Sequence, residues 1–187
     1  MPYCIRRQPS SDNRDIRVDI ARAAKRPGFI DVSNFPHTGE AIRVPLHWDD
    51  MISVGGLYIV SEKLKDLFLE LCPDQVVLHH IDVLFTDGER RSSIDYYILK
   101  LKRVVDCLDF EQSIGDLSEG AGERKVLSRP GKIVLKPDTT DNLAIWHPEG
   151  MESAIFVSDG LACAMQDAKI SPLLYEELHF AVSEPTQ

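Results

Sequence analysis

One local pattern occurs twice in this chain, and it constrains the fold more than any other feature. Residues 58–62 read Tyr-Ile-Val-Ser-Glu and residues 155–159 read Ile-Phe-Val-Ser-Asp, an offset of 97 positions. Each segment joins a β-branched and aromatic run to a serine and an acid. The serine hydroxyl can accept an unpaired backbone N–H at the start of a helix, and the acid complements the helix dipole. Both segments are therefore predicted to be strand-to-helix junctions.

The residues that follow each junction have helical periodicity. Leu64, Phe68 and Leu71 recur at spacings typical of one helix face, and Leu161 and Met165 take the matching positions in the second segment. A proline follows each helix and would end it. The repeat indicates a duplicated strand–helix–strand unit, and the alternative is that two unrelated capped junctions share a common pattern. These five residues are predicted to form the core together with Val105, Cys107 and Ile155.

The remaining patterns predict more strands than helices. Gln75–Phe85 reads as a strand, Ile94–Leu108 as a second strand region, and Lys125–Leu135 as a hairpin around Arg129-Pro130-Gly131. A short helix is expected near Arg14–Lys25. We therefore predict an α+β fold with a mixed or largely antiparallel sheet and a few short helices. A length of 187 residues fits one domain over 1–187.

The charge is distributed unevenly along the sequence. Residues 1–26 carry seven bases against three acids, so the rest of the chain has a net charge of −13, compared with −9 overall. An acidic body repels phosphate backbones and attracts basic proteins, which argues against a nucleic-acid partner. The alternative is that the acidity only serves solubility. The densest acidic stretch is predicted to be an exposed loop and a candidate partner-binding surface, with the acids Asp109, Glu111, Asp116, Glu119 and Glu123.

The search for a catalytic or metal site gives one weak candidate. His80 and Asp82 would share a strand face next to His79, and a carboxylate at that spacing could orient a general base. No motif ties a nucleophile to these residues, and the chain has no phosphate-binding loop or metalloprotease signature. The four cysteines form no CxxC pair. The sequence therefore predicts neither a metal site nor a cofactor.

No targeting or membrane segment is expected. The first residues contain no apolar run that could form a signal-peptide core. The longest nearly uncharged stretch is far shorter than the ~20 residues that a spanning helix needs. These observations predict a cytoplasmic protein without a membrane partner.

Three segments, in this order, resemble a known family. They are residues 59–64 (Ile-Val-Ser-Glu-Lys-Leu), residues 103–109 (Arg-Val-Val-Asp-Cys-Leu-Asp) with Ser113, and residues 155–161 (Ile-Phe-Val-Ser-Asp-Gly-Leu). The series is similar to bacterial polymorphic-toxin immunity protein family eleven, formerly a domain of unknown function. The resemblance covers a family-like core over residues 57–182 and leaves residues 1–50 as a variable N-terminal part.

The resemblance implies a non-catalytic protein that protects its producer by binding a cognate toxin or effector. An acidic inhibitor would be steered electrostatically towards a basic toxin. Two alternatives remain open at this stage. One is a small hydrolase that uses His79, His80 and Asp82, and the other is an adaptor or chaperone for a secreted effector.

Overall fold

The computed structural model of the chain describes residues 2–7, 16–17, 35, 38–41, 49–54, 57–85, 94–120, 124–151, 153–171 and 173–180. Within these residues the fold is α+β with mixed and mostly antiparallel sheets, as the sequence predicts. The elements in chain order are β1 (Tyr3–Arg7), β2 (Ile16–Arg17), β3 (Thr38–Ala41), β4 (Met51–Val54), β5 (Leu57–Ser61), α1 (Glu62–Leu71), β6 (Val76–Phe85), β7 (Tyr96–Leu101), β8 (Val104–Val105), β9 (Ile114–Glu119), β10 (Lys125–Lys132), β11 (Val134–Leu135), β12 (Ile145–Pro148), β13 (Ile155–Val157), α2 (Asp159–Asp167), β14 (Leu173–Glu177) and β15 (His179–Phe180).

Two sheets hold the two copies of the repeated pattern. The first sheet has the order β2-β3-β6-β7-β5-β4, and the second has the order β14-β1-β13-β12-β8. In the first sheet β5 and β6 flank α1 in the chain and are both antiparallel to β7, which lies between them. In the second sheet β13 and β14 flank α2 and are both antiparallel to β1. Each unit is thus a split strand–helix–strand arrangement, and the duplicated unit that the sequence predicts is present.

The two units correspond residue by residue at the offset of 97 seen in the sequence. Val60 pairs with Tyr97 of its central strand, and Val157 pairs with Tyr3 of its own. The strands that precede each unit, β4 and β12, are antiparallel to β5 and β13. The correspondence therefore includes the neighbouring strands as well as the strand–helix junctions.

The outer strands extend the correspondence. Asp82 of β6 pairs in parallel with Thr38 of β3, and His179 of β15, 97 positions later, pairs in parallel with Val134 of β11. Together β14 and β15 take the place that β6 has in the first unit. The one difference in connectivity is the central strand, because β7 follows β6 along the chain whereas β1 comes from the N-terminal end.

Both helix starts are capped as predicted. Ser61 Oγ accepts the Leu64 N–H and Ser158 Oγ accepts the Leu161 N–H, each at 3.3 Å. The Ser61 hydroxyl also donates to Asp50 Oδ1 at 2.6 Å. Ser158 lacks this second bond in the described structure, since the residue at the place of Asp50 is an alanine.

The two units are joined by reciprocal hydrogen bonds. Asp50 exchanges bonds with Ser171, which follows α2: its N–H donates to the Ser171 carbonyl at 2.8 Å, and its Oδ2 accepts the Ser171 N–H at 3.1 Å. Gln75, which follows α1, accepts the N–H groups of Ala144 and Ile145 on its Oε1 at 2.8 and 3.0 Å. The segment that leads into each unit is therefore fastened to the loop after the helix of the other unit.

One hydrophobic cluster combines residues of both units and both helices. Predicted core residues with no more than 2% exposure are Leu64, Phe68, Cys107, Ile155, Leu161 and Met165. Val105 is only half-buried. Leu71 is 44% exposed, so its assignment to the core is wrong. The chain leaves the helix at this point, and Cys72, next along the same stripe as Leu64 and Phe68, is buried instead.

Three secondary-structure predictions are corrected. Ile16–Arg17 is a strand, so the helix expected near Arg14–Lys25 does not include these residues, and the rest of that segment lies outside the described residues. The strand region expected over Ile94–Leu108 is two strands with a turn between them. The hairpin expected over Lys125–Leu135 is absent, because β10 runs through Arg129-Pro130-Gly131 with a bulge and pairs with β9.

Candidate binding surface

Part of the predicted acidic loop is a β-strand. Ile114–Glu119 forms β9, which pairs antiparallel with β10 in a separate two-stranded sheet. The exposed position of the segment agrees with the prediction, because every residue of β9 is exposed. Its irregular conformation was predicted wrongly. The glycine and the acids within β9 disfavour a strand locally, and the pairing with β10 overrides that preference.

Asp109 holds the base of this hairpin. Its Oδ1 accepts the backbone N–H groups of Glu111 and Gln112, both at 3.0 Å. Its own N–H donates to the carbonyl of Val134, and Ser113 bonds the same residue through its hydroxyl. Asp109 is half-buried, so its carboxylate is engaged mainly with the protein's own backbone.

The other predicted site residues differ in what they can offer a partner. Glu111, Asp116 and Glu119 are exposed, and Asp116 lies 3.6 Å from the guanidinium of Arg129. Glu123 lies outside the described residues. The structure thus brings Asp116 and Glu119 onto one strand and places Glu111 in the turn before it.

Folding changes the charge of this region. The described part of β9 and the turn before it carry four acids, two of them on the strand, and the four bases Arg124, Lys125, Arg129 and Lys132 lie on or just before β10. The acidic character predicted from the sequence is therefore confined to the β9 edge. These bases directly follow the acidic stretch in the sequence, and the pairing of β9 with β10 places them beside its acids.

A cleft of about 610 Å³ lies beside the hairpin. Its lining includes residues 126–130 of β10, the pair Ser53 and Tyr58, and Ile5 of β1. Gly150, Met151, Ser153 and Ala154 complete it. Gly150 is bonded to β10: its carbonyl accepts the Leu127 N–H at 3.0 Å, and its φ of +83° favours glycine. Sequence reasoning missed this cleft because its walls come from four separate parts of the chain, and the only local signal is the glycine.

The described lining of the cleft has few ionisable side chains. It includes no histidine, cysteine, aspartate or glutamate. The hydroxyl of Tyr58 donates to the Ser153 carbonyl, and burial raises the pKa of Tyr58 to about 12, so it stays protonated at neutral pH. His147 lies behind it, with ring centroids 6.5 Å apart. Burial lowers the pKa of His147, and its Nδ1 lies 2.7 Å from the Ala154 carbonyl oxygen. Both groups are thus held in their neutral forms by the fold.

The histidine candidate for catalysis is not part of this cleft. His79 packs edge-on against the ring of Phe35 with centroids 5.7 Å apart. His80 is exposed, packs against Tyr97, and its Nε2 lies 3.9 Å from Asp95 Oδ1, beyond hydrogen-bond distance. His80 thus lies within ion-pair distance of Asp95, a residue that was not part of the predicted candidate.

Among the described residues, no group of three or more histidine, cysteine, aspartate or glutamate side chains could hold a metal ion. Neither described helix has the length and apolar character needed to cross a membrane.

Comparison with known proteins shows a family. The family model described as "Immunity protein family (Imm11)" matches residues 4–179 of the 187. The match begins inside β1 and so includes most of residues 1–50, which the resemblance had left as a variable part. No curated protein matches the sequence.

Proposed function

The chain belongs to the immunity protein family Imm11, and on that premise we propose that it binds and neutralises a cognate bacterial toxin in the cytoplasm of the cell that makes it. The observation that carries this proposal is the family match over residues 4–179. Neutralisation by binding needs a rigid scaffold and a complementary surface, and it needs no turnover chemistry.

The proposed binding surface is the β9–β10 hairpin, including the acids Asp109, Glu111, Asp116, Glu119 and Glu123. Three features support it: β9 is exposed over its whole length, the hairpin has its own sheet, and a cleft adjoins it. The proposed partner is a protein, because a net charge of −9 disfavours binding to nucleic acid or to an anionic membrane surface. Exposed acids would steer a basic toxin and raise its association rate.

Co-expression tests the immunity role. Cells that express the adjacent toxin gene should grow when this protein is present and stop growing when it is absent. The two purified proteins should also form a complex. A protein that binds the toxin without restoring growth would be an adaptor or chaperone, and absence of both binding and rescue would remove the immunity proposal.

Charge reversal tests the surface. Changing Glu111, Asp116 and Glu119 to lysine should slow association with the toxin more than it speeds dissociation, and the wild-type association rate should fall as salt rises. A matched control reverses three exposed acids on or beside the two helices: Glu70, Asp74 and Asp167. Equal slowing by both triple variants would mean that only net charge matters, and the hairpin would lose its assigned role.

A further inference from the structure

The outer edge of β9 is an open strand edge. In the described structure β9 pairs with β10 on one side and with no strand on the other. The Gly120 N–H donates to the Arg124 carbonyl at 2.7 Å, so Gly120 and Arg124 form a hydrogen-bonded pair of the antiparallel ladder. Bonded pairs alternate along antiparallel strands, so the N–H and C=O groups of Leu117 and Glu119 point away from β10. These groups can take a further strand.

The opposite edge of the hairpin is already used. Leu127, which pairs with Leu117, donates its N–H to Gly150 and buries its side chain in the core. β9 also lies close against β10: a Cβ added to Gly115 would lie 2.7 Å from a Leu127 methyl and 3.0 Å from the Ser128 carbonyl oxygen. The open edge is therefore carried by a hairpin that is fastened to the body and needs no rearrangement to accept a partner.

The edge carries acids but neither of the two residues that most strongly block strand pairing. Lysine and proline discourage edge-to-edge association, and β9 contains neither, while the bulge of the hairpin lies in β10. Ile114 is 63% exposed and Leu117 is 51% exposed. The two acids oppose pairing with another acidic strand, and the two large apolar side chains favour strand addition by a partner whose charge is basic.

Charge indicates what kind of strand would fit. Side chains alternate between the two faces of a strand, so Ile114 and Asp116 lie on one face and Leu117 and Glu119 on the other. Each face thus offers one apolar residue and one acid, and the charged residues of β9 are all acidic. The complementary strand would carry an apolar residue and a lysine or arginine on each face.

We propose that the cognate toxin adds a strand to the outer edge of β9, with basic and apolar side chains opposite Asp116, Glu119, Ile114 and Leu117. This inference rests on the proposed immunity function and names the structural mode of the complex. Main-chain hydrogen bonds supply much of the affinity in this mode, and side chains supply the specificity.

A pair of variants at one position separates backbone from side-chain contributions. Leu117→Ala and Leu117→Pro both remove the exposed side chain, but only proline removes the outward N–H, and proline is tolerated at an edge where that N–H faces solvent. Affinity is measured for the purified product of the adjacent toxin gene, made inactive by mutation. We expect Leu117→Pro to bind at least about tenfold more weakly than Leu117→Ala, with equal thermal unfolding of the two free proteins.

Hydrogen exchange gives a second readout that does not depend on a variant. In the wild-type complex the amides of Leu117 and Glu119 should become protected, since they gain acceptors on the added strand. Equal affinity of the two Leu117 variants together with unchanged exchange at both amides would overturn strand addition while leaving the immunity function intact. A wild-type protein that neither binds nor rescues would instead remove the proposed function. A free protein that dimerises through this edge, with the dimer lost in Leu117→Pro, would show that a second copy occupies it.

Discussion

The two serine caps allow one stability prediction to be made with an internal control. Ser61 and Ser158 occupy corresponding positions, and each accepts one helix N–H at 3.3 Å. Replacing either by alanine removes that cap, which costs about 1 kcal/mol. Ser158→Ala should therefore lower the free energy of unfolding by about 1 kcal/mol.

Ser61→Ala should cost more because a second bond is lost. The Ser61 hydroxyl donates to Asp50 Oδ1 at 2.6 Å, and the Asp50 side chain is only 14% exposed. A hydrogen bond to a charged group contributes about 1.5–3 kcal/mol. We use the lower end, because Asp50 keeps the Ser171 N–H at 3.1 Å and Lys63 at 3.7 Å. Ser61→Ala should thus cost about 2.5 kcal/mol, roughly 1.5 kcal/mol more than Ser158→Ala.

Urea denaturation, followed by tryptophan fluorescence and by circular dichroism, measures both values. The m-value should stay constant across the variants, so that a change in midpoint reports stability. A double-mutant cycle with Asp50→Ala should give a coupling of about 1.5 kcal/mol with Ser61 and near zero with Ser158. Equal costs for the two serine variants, or a coupling near zero at Ser61, would refute the assignment of the extra stability to the Asp50 bond.

Three further perturbations follow from burial and backbone geometry. Phe68→Ala should cost about 3–5 kcal/mol in denaturant unfolding because the ring is fully buried, whereas Leu69→Ala, at a side chain 48% exposed, should stay within about 0.5 kcal/mol. Gly150→Ala should lower the free energy of unfolding by at least about 2 kcal/mol, because Gly150 has a φ of +83° and the new Cβ would lie 2.6 Å from the Lys125 carbonyl oxygen. Gly160→Ala is the control: a Cβ there would have nothing within 4 Å, so this variant should be neutral or slightly stabilising. Burial lowers the pKa of His147 below its usual value of 6.5 in the folded protein. The unfolded chain therefore binds more protons below pH 6.5 than the folded protein does. The free energy of unfolding should fall as the pH drops from 6.5 towards the lower folded pKa, by up to about 1.4 kcal/mol per pH unit. His147→Gln should flatten that dependence between pH 7 and 5, and an unchanged slope would contradict the burial effect.

The strand-to-helix junctions could be predicted from the sequence because their causes are local. A serine cap, an acid in the first turn and apolar residues three and four apart act within a single helix turn. This explains why Ser61 and Ser158 cap their helices and why Phe68 and Met165 are buried. The prediction that Leu71 is buried was wrong because the end of the helix is not set locally: it depends on where the chain turns next.

Strand neighbours and charge neighbours were decided only by the tertiary structure. β1 lies between β13 and β14 in a sheet whose other members lie after residue 103, and no local pattern specifies such a distant pairing. The acids of β9 acquire basic neighbours because β10 pairs with that strand rather than folding back on itself. Periodicity and capping report interactions within a few residues, whereas pairing and electrostatics depend on segments that only the fold brings together. The sequence alone therefore determined the repeated unit and most of its core, and the tertiary structure decided which edge of the described hairpin has no neighbouring strand.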